Sequence, residues 1–213
     1  PIVDGLPLLP MMPTQILWIN LVATVALALP LAFEAMEPDI MSRPPRHPNE
    51  PIMNRFVVMR TVLVALLMTV AAIGLFLHNF HSQMEQIHAT GQALETARET
   101  AYRKAQTMAV TTVIFFQIFY LLNCRSLRRS IFRIGLFSNP WIYVGIVVLI
   151  VLQLGFIYLP FMHTAFRSAP LSPMELLKAM GLGLLILPVI SLEKIIWNWC
   201  HRRHRPGKAV GGS

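Results

Sequence analysis

Five apolar runs, each close to the length of a membrane-crossing helix, alternate along the chain with polar and basic stretches. A helix needs roughly 20 mostly apolar residues to cross the hydrocarbon of a bilayer. Thr14–Phe33, Phe56–Leu77, Thr107–Asn123, Trp141–Phe161 and Leu176–Trp197 meet that requirement. None shows the strict alternation of a barrel strand, and a helix satisfies its own backbone groups in lipid. The pattern predicts an all-α polytopic membrane protein, a bundle of about five transmembrane helices. Residues 14–205 form one transmembrane domain, residues 1–13 an outer loop before the first span, and residues 206–213 a disordered tail.

The connections differ in kind. Glu34–Asn54 carries Pro38, Pro44, Pro45, Pro48 and Pro51, which disfavour helix and predict an extended strap. Cys124–Pro140 is basic, and Asn139-Pro140 predicts a break just before the fourth span. Between the second and third spans, His78–Gln106 contains the stretch GQALETARETAYRKAQ, which predicts a polar helix with Glu99 and Arg103 in an i,i+4 pair.

Composition agrees with this frame. Hydrophobic residues make up 55% and charged residues 13% of the 213, where soluble domains carry about a quarter charged residues. Much of the surface therefore avoids water. The net charge of +8 would suggest nucleic acid in a soluble protein. Here the basic residues lie between apolar runs, so no nucleic-acid partner is expected and the lipid bilayer is.

Their placement also sets an expected sidedness, because cytoplasmic loops are enriched in Lys and Arg. Arg43, Arg46, Arg55, Arg60, Arg125, Arg128, Arg129, Arg133, Lys194, Arg202, Arg203, Arg205 and Lys208 fall on one side. Arg98, Arg103, Lys104, Arg167 and Lys178 fall on the other. The richer side is expected to be cytoplasmic, with the N-terminus outside, in a bacterial cytoplasmic membrane. Cys124 and Cys200 make no disulfide framework, and no signal peptide opens the chain. A first residue other than Met reads as a piece of something longer.

Polar residues inside the spans are the candidate chemistry. Asn20 and Thr24 are four apart and share one helix face. Pro30 cannot donate an N–H and clashes with the Ala26 carbonyl, which frees an acceptor oxygen at membrane depth. Amide, hydroxyl and carbonyl oxygens are the ligands a dehydrated hard cation takes. From composition alone, interhelical hydrogen bonding and an ordinary kink are the better explanation of the same residues. Gln117, Tyr120 and Asn123 make a polar stripe on the third span, and Glu193 with Lys194 reads as an interfacial anchor.

Several segments carry a family resemblance. ILWINLV, LAFE and EPDIMSRPPRHPNEPIM resemble the sixth transmembrane helix and following loop of P-type cation ATPases, the group that includes calcium pumps and related bacterial cation pumps. FFQIFYLLNCRSLRRSIFRIGLFSNPW and LQLGFIYLPFMHTAFRSAPLS are similar to the eighth and ninth helices, and SLEKIIW to the end of the tenth. The resemblance covers nearly the whole chain in one order.

It implies that Asn20, Thr24 and Gln117 are ligands of a transported cation. Asn20 matches an asparagine ligand of the calcium pumps, while Thr24 stands where they have an aspartate, Ala23 where they have a threonine and Gln117 where they have a glutamate. Loss of two carboxylates weakens Ca²⁺ binding and leaves the ion open. DKTG, TGE and GxxxxGK[ST] motifs are absent from the 213 residues. No cofactor is expected in this chain, while Mg²⁺ and ATP are implied for a full-length parent. Its earlier helices and cytoplasmic catalytic domains would be this chain's partners. The alternative is a non-enzymatic accessory or channel-like membrane protein of the same fold.

Overall fold

The computed structural model describes residues 2–3, 6–7, 9–33, 55–90, 94–124 and 140–193. The proline-rich strap, the basic connection before Pro140, Lys194 and the expected tail lie outside the described residues. Within residues 1–13, a two-stranded antiparallel ribbon joins β1 (Ile2–Val3) to β2 (Leu6–Pro7). Every longer element is helical, as the apolar runs predict.

The first span is built of three pieces. α1 (Pro13–Trp18) begins on a proline, whose missing N–H costs nothing in the first turn. A π-helical segment follows over Ile19–Ala28, and α2 (Leu29–Leu31) closes the span. The entry of α1 is pinned by Gln15, which is fully buried. Its Oε1 accepts from the Met12 N–H at 3.1 Å, and its Nε2 donates to the Phe166 carbonyl at 3.1 Å.

α3 (Arg55–Thr90) and α4 (Leu94–Cys124) form a long helical hairpin. The 36 residues of α3 extend about 54 Å, well beyond the ~30 Å of hydrocarbon. The expected loop His78–Gln106 is thus helix on both arms, with residues 91–93 outside the described set. Aromatic packing holds the arms together beyond Leu77. Phe76, Phe80 and Tyr102 form a triangle with ring centroids 6.0–6.2 Å apart, and Ile87 and Ala101 are buried nearby.

α5 (Pro140–Tyr158) starts at the expected Asn139-Pro140 boundary. It ends where Pro160 holds Leu159 in an extended conformation. The short α6 (Pro160–Phe166) stops at Arg167, whose φ of 52° turns the chain in a left-handed step. α7 (Pro173–Leu184) opens with a capping box: the Ser172 hydroxyl accepts from the Glu175 N–H, and the Glu175 carboxylate accepts from the Ser172 N–H at 2.8 Å. A turn at Leu185 precedes a further helical stretch over 186–193. Pro188 explains the interruption, because it cannot bond back to the Leu184 carbonyl and its ring crowds that oxygen.

The least apolar span sits in the middle. α4 packs on α3, on α7 and on the π segment, and it buries Thr107, Met108, Thr111, Thr112, Ile114, Ile118 and Leu121. Hydroxyls at membrane depth are stabilised inside a bundle rather than against lipid. α3 instead exposes an apolar stripe of Val58, Val62, Leu66, Val70, Ile73 and Leu77. Small residues let backbones approach: a Cβ on Gly183 of α7 would lie 3.0 Å or less from Phe115 and Phe116 of α4.

Polar contacts lock both ends. At the hairpin end the Tyr102 hydroxyl donates to the Leu9 carbonyl and accepts from its N–H, both at 3.0 Å. Lys104 pairs with Glu175 at 2.9 Å, and Glu99 with Arg103 and Arg167. At the other end Arg60 and Glu193 form a buried ion pair at 2.7 Å. Glu193 is therefore not the interfacial anchor expected from its position; its side chain is 10% exposed and turned onto a guanidinium that is 3% exposed.

Candidate functional site

Asn20 and Thr24 both lie in the π segment. The i→i+5 bonding of a π turn is rare and concentrates at functional sites. Trp18, Ile19, Val22, Ala23 and Leu27 point into the bundle, and Leu17, Asn20, Leu21, Thr24 and Val25 point out of it. The two polar side chains thus share the uncovered face of the first span. A carboxamide and a hydroxyl held at membrane depth on such a face are costly against lipid, so this face calls for a polar or helical cover.

The oxygen freed by Pro30 has a different fate from the one expected. The Ala26 carbonyl and the Pro30 ring are packed against Gly145 of α5. A Cβ at position 145 would overlap the Ala26 oxygen and come within 2.7 Å of Pro30 Cγ. α5 reaches this carbonyl only because Gly145 has no side chain, and the close backbone contact closes the oxygen off. The Ala26 carbonyl serves helix packing, which leaves Asn20 and Thr24 as the oxygens of the open face.

Gln117 lies on α4 within the bundle, half-buried, and its Oε1 is buried without a hydrogen-bond partner among the described residues. No hydrogen bond joins it to Asn20 or Thr24 among the described residues. α4 does pack against the π segment, so the three candidates lie on two contacting elements, with one donor set facing outward and one acceptor held inside.

The structure adds residues that sequence reasoning passed over. Trp18, the residue before the π segment, donates from Nε1 to Gln153 Oε1 at 3.3 Å. Gln153 Nε2 donates to Thr111 Oγ1 at 3.1 Å, and Thr111 donates to the Thr107 carbonyl at 2.7 Å. The Trp18 ring is held between Phe156 and Phe166 at centroid distances of 5.4 and 5.2 Å. A lone glutamine in the apolar run of α5 was the available signal.

Comparison with known proteins bears on this arrangement. The family described as "Cation transporting ATPase, C-terminus" matches residues 8–196. A "Probable cation-transporting ATPase F" of Mycobacterium tuberculosis is 35% identical over 188 residues, 88% of this chain and 19% of that protein. A "Calcium-transporting ATPase type 2C member 2" of Mus musculus is 30% identical over 197 residues, 92% of this chain and 19% of its own length. A "Calcium-transporting ATPase" of Bacillus subtilis is 31% identical over 175 residues, 82% of this chain and 18% of its own. The chain spans about a fifth of the length of the curated relatives it matches.

Proposed function

The chain belongs to the cation-transporting ATPase C-terminal family, and from that premise we propose that it forms part of the ion path of an ATP-driven pump. The observation that carries the reading is the open face of the first span. Asn20 and Thr24 stand there in a π segment whose other face is packed. Side-chain oxygens on an uncovered face are what a cation shared with neighbouring helices requires. In this reading earlier helices of the same pump cover the face, and Gln117, whose Oε1 has no partner among the described residues, supplies a further oxygen.

The ligand set is neutral. Asn20, Thr24 and Gln117 bring no formal charge, which favours a monovalent cation or a single-ion cycle over tight binding of two Ca²⁺. Catalytic domains elsewhere in the pump supply ATP hydrolysis with Mg²⁺. The Arg60–Glu193 end faces the cytoplasm of a bacterial cell and the hairpin end faces outward, in line with thirteen basic residues against five. The matches to cation-transporting ATPases favour this reading over an accessory or channel-like protein.

The test is made on the full-length ATPase that carries this region, with hydrolysis followed against Ca²⁺, Mn²⁺, Na⁺, K⁺ and pH. Asn20→Ala is expected to raise the half-activating cation concentration by about tenfold or more, the equivalent of some 1.4 kcal/mol of lost coordination. A cation dependence unchanged in Asn20→Ala removes this face from the ion path.

A further inference from the structure

The geometry points to Gln153 as a positioning residue that fixes the first span against α4, and so sets how the π-segment oxygens stand relative to Gln117. This inference rests on the ion-path reading of Asn20, Thr24 and Gln117. It concerns a residue on a different helix that touches none of them.

Among the described residues, the Gln153 carboxamide bonds to α4, which carries Gln117, and to Trp18, the last residue of α1, directly before the π segment that carries Asn20 and Thr24. Oε1 accepts from Trp18 at 3.3 Å and Nε2 donates to Thr111 at 3.1 Å. Trp18 is two residues ahead of Asn20, and Thr111 is six residues ahead of Gln117 on one continuous helix. All three are buried: Gln153 is 4%, Trp18 8% and Thr111 0% exposed. Polar groups buried this deeply are costly to leave unpaired, so each bond is worth keeping.

The chemistry is directional. The Thr111 hydroxyl spends its proton on the Thr107 carbonyl, so towards Gln153 it can only accept. The Trp18 indole can only donate. A side chain at 153 must therefore accept at one atom and donate at another, as a carboxamide does. Leucine meets neither demand. Glutamate accepts from Trp18 but sets a carboxylate oxygen against the Thr111 oxygen.

The chain of bonds runs on. Thr107 Oγ1 donates to the Arg103 carbonyl and accepts from the Ala169 N–H at 2.9 Å, which ties in the segment ahead of α7. The π segment is bounded by short α-helical pieces, and contacts at both ends bear on its orientation. Trp18 supplies the anchor at one end. At the other, Pro30 is seated against Gly145. Both anchors are provided by α5. That helix holds none of the candidate ligands, yet it grips the π segment on both sides of Asn20 and Thr24.

The experiment uses Trp18→Phe, Thr111→Val and Gln153→Leu, singly and combined, in the full-length ATPase, with Asn20→Ala alongside. Thr111→Val keeps side-chain shape and Trp18→Phe keeps an aromatic ring between Phe156 and Phe166, each removing one end of the relay with less disturbance than Gln153→Leu. Each is expected to raise the half-activating cation concentration roughly three- to tenfold with the KM for ATP unchanged, in line with the worth of interhelical bonds in membranes. The two shifts should be less than multiplicative in the double variant, and absent when added to Gln153→Leu. Loss of thermal stability with cation dependence unchanged would overturn the proposal, as would fully multiplicative shifts. If Asn20→Ala leaves cation dependence intact, the ion-path reading itself fails. If Asn20→Ala shifts it and the relay variants do not, the relay alone is wrong.

Discussion

Gly145→Val is expected to separate the first and fourth spans and to leave little monodisperse protein after detergent extraction. Its Cβ would overlap the Ala26 carbonyl oxygen and come within 2.7 Å of the Pro30 ring. Neither obstacle can yield by a rotamer change, since one is backbone and the other a ring fixed at both ends. Overpacking in a tight core ordinarily costs about 1–3 kcal/mol where side chains can shift. Here the helix must move, so the loss should reach or exceed the top of that range. Gly74→Val is the control, because a Cβ there meets nothing within 4 Å. Fluorescence-detected size exclusion of the two variants reads the difference. Equal, wild-type-like peaks would show that α5 does not press on Ala26.

Arg60→Leu carries the second large effect. The guanidinium is 3% exposed and donates twice to one carboxylate oxygen of Glu193, at 3.0 and 2.7 Å. Its removal leaves a carboxylate that is 10% exposed without its counter-charge. Breaking a buried pair from one side costs about 3–5 kcal/mol. For a domain of this size that corresponds to a fall of about 6–20 °C in apparent melting temperature. The double variant Arg60→Leu/Glu193→Leu should recover most of the loss, because two apolar residues need no partner. A double variant as unstable as the single would show that the site depends on packing of the arginine stem rather than on the charge pair. These two residues are 133 positions apart and join α3 to the end of the last helical stretch. The pair therefore tests whether that stretch is seated on the bundle.

Local rules in the sequence were reliable wherever one residue acts on its near neighbours. Pro140 opened α5 as the Asn139-Pro140 pair indicated, and Glu99 met Arg103 across one helical turn at 2.6 Å. Apolar length located helices in all the expected spans. Hydropathy said less about where those helices stop. α3 continues to Thr90, with Phe80 packed on Tyr102 of α4 and Ile87 buried beyond the apolar run, and a helix in water carries no hydropathy signal.

The candidate site divides in the same way. Asn20 and Thr24 were legible from their spacing, and their common face is the one the structure leaves open. The Ala26 carbonyl was equally legible as a freed acceptor, yet it is closed off by a glycine more than a hundred residues later. Gln153 lay in a stretch similar to the ninth helix of the pumps, but nothing in that stretch gave it a role. Its role exists only because α5 brings it between Trp18 and Thr111.

What the sequence determined alone is the helical, membrane-crossing character of the chain, its family, and the polar residues placed at membrane depth. Apolar run length, proline position and side-chain chemistry are properties of short stretches, so no folded partner is needed to read them. The tertiary structure decided which helix is central, which oxygens remain open, and which distant side chains meet. Those outcomes depend on how closely backbones approach and which faces are buried together, and for Ala26, Gly145, Arg60, Glu193 and Gln153 that information lies in the packing of one span on another.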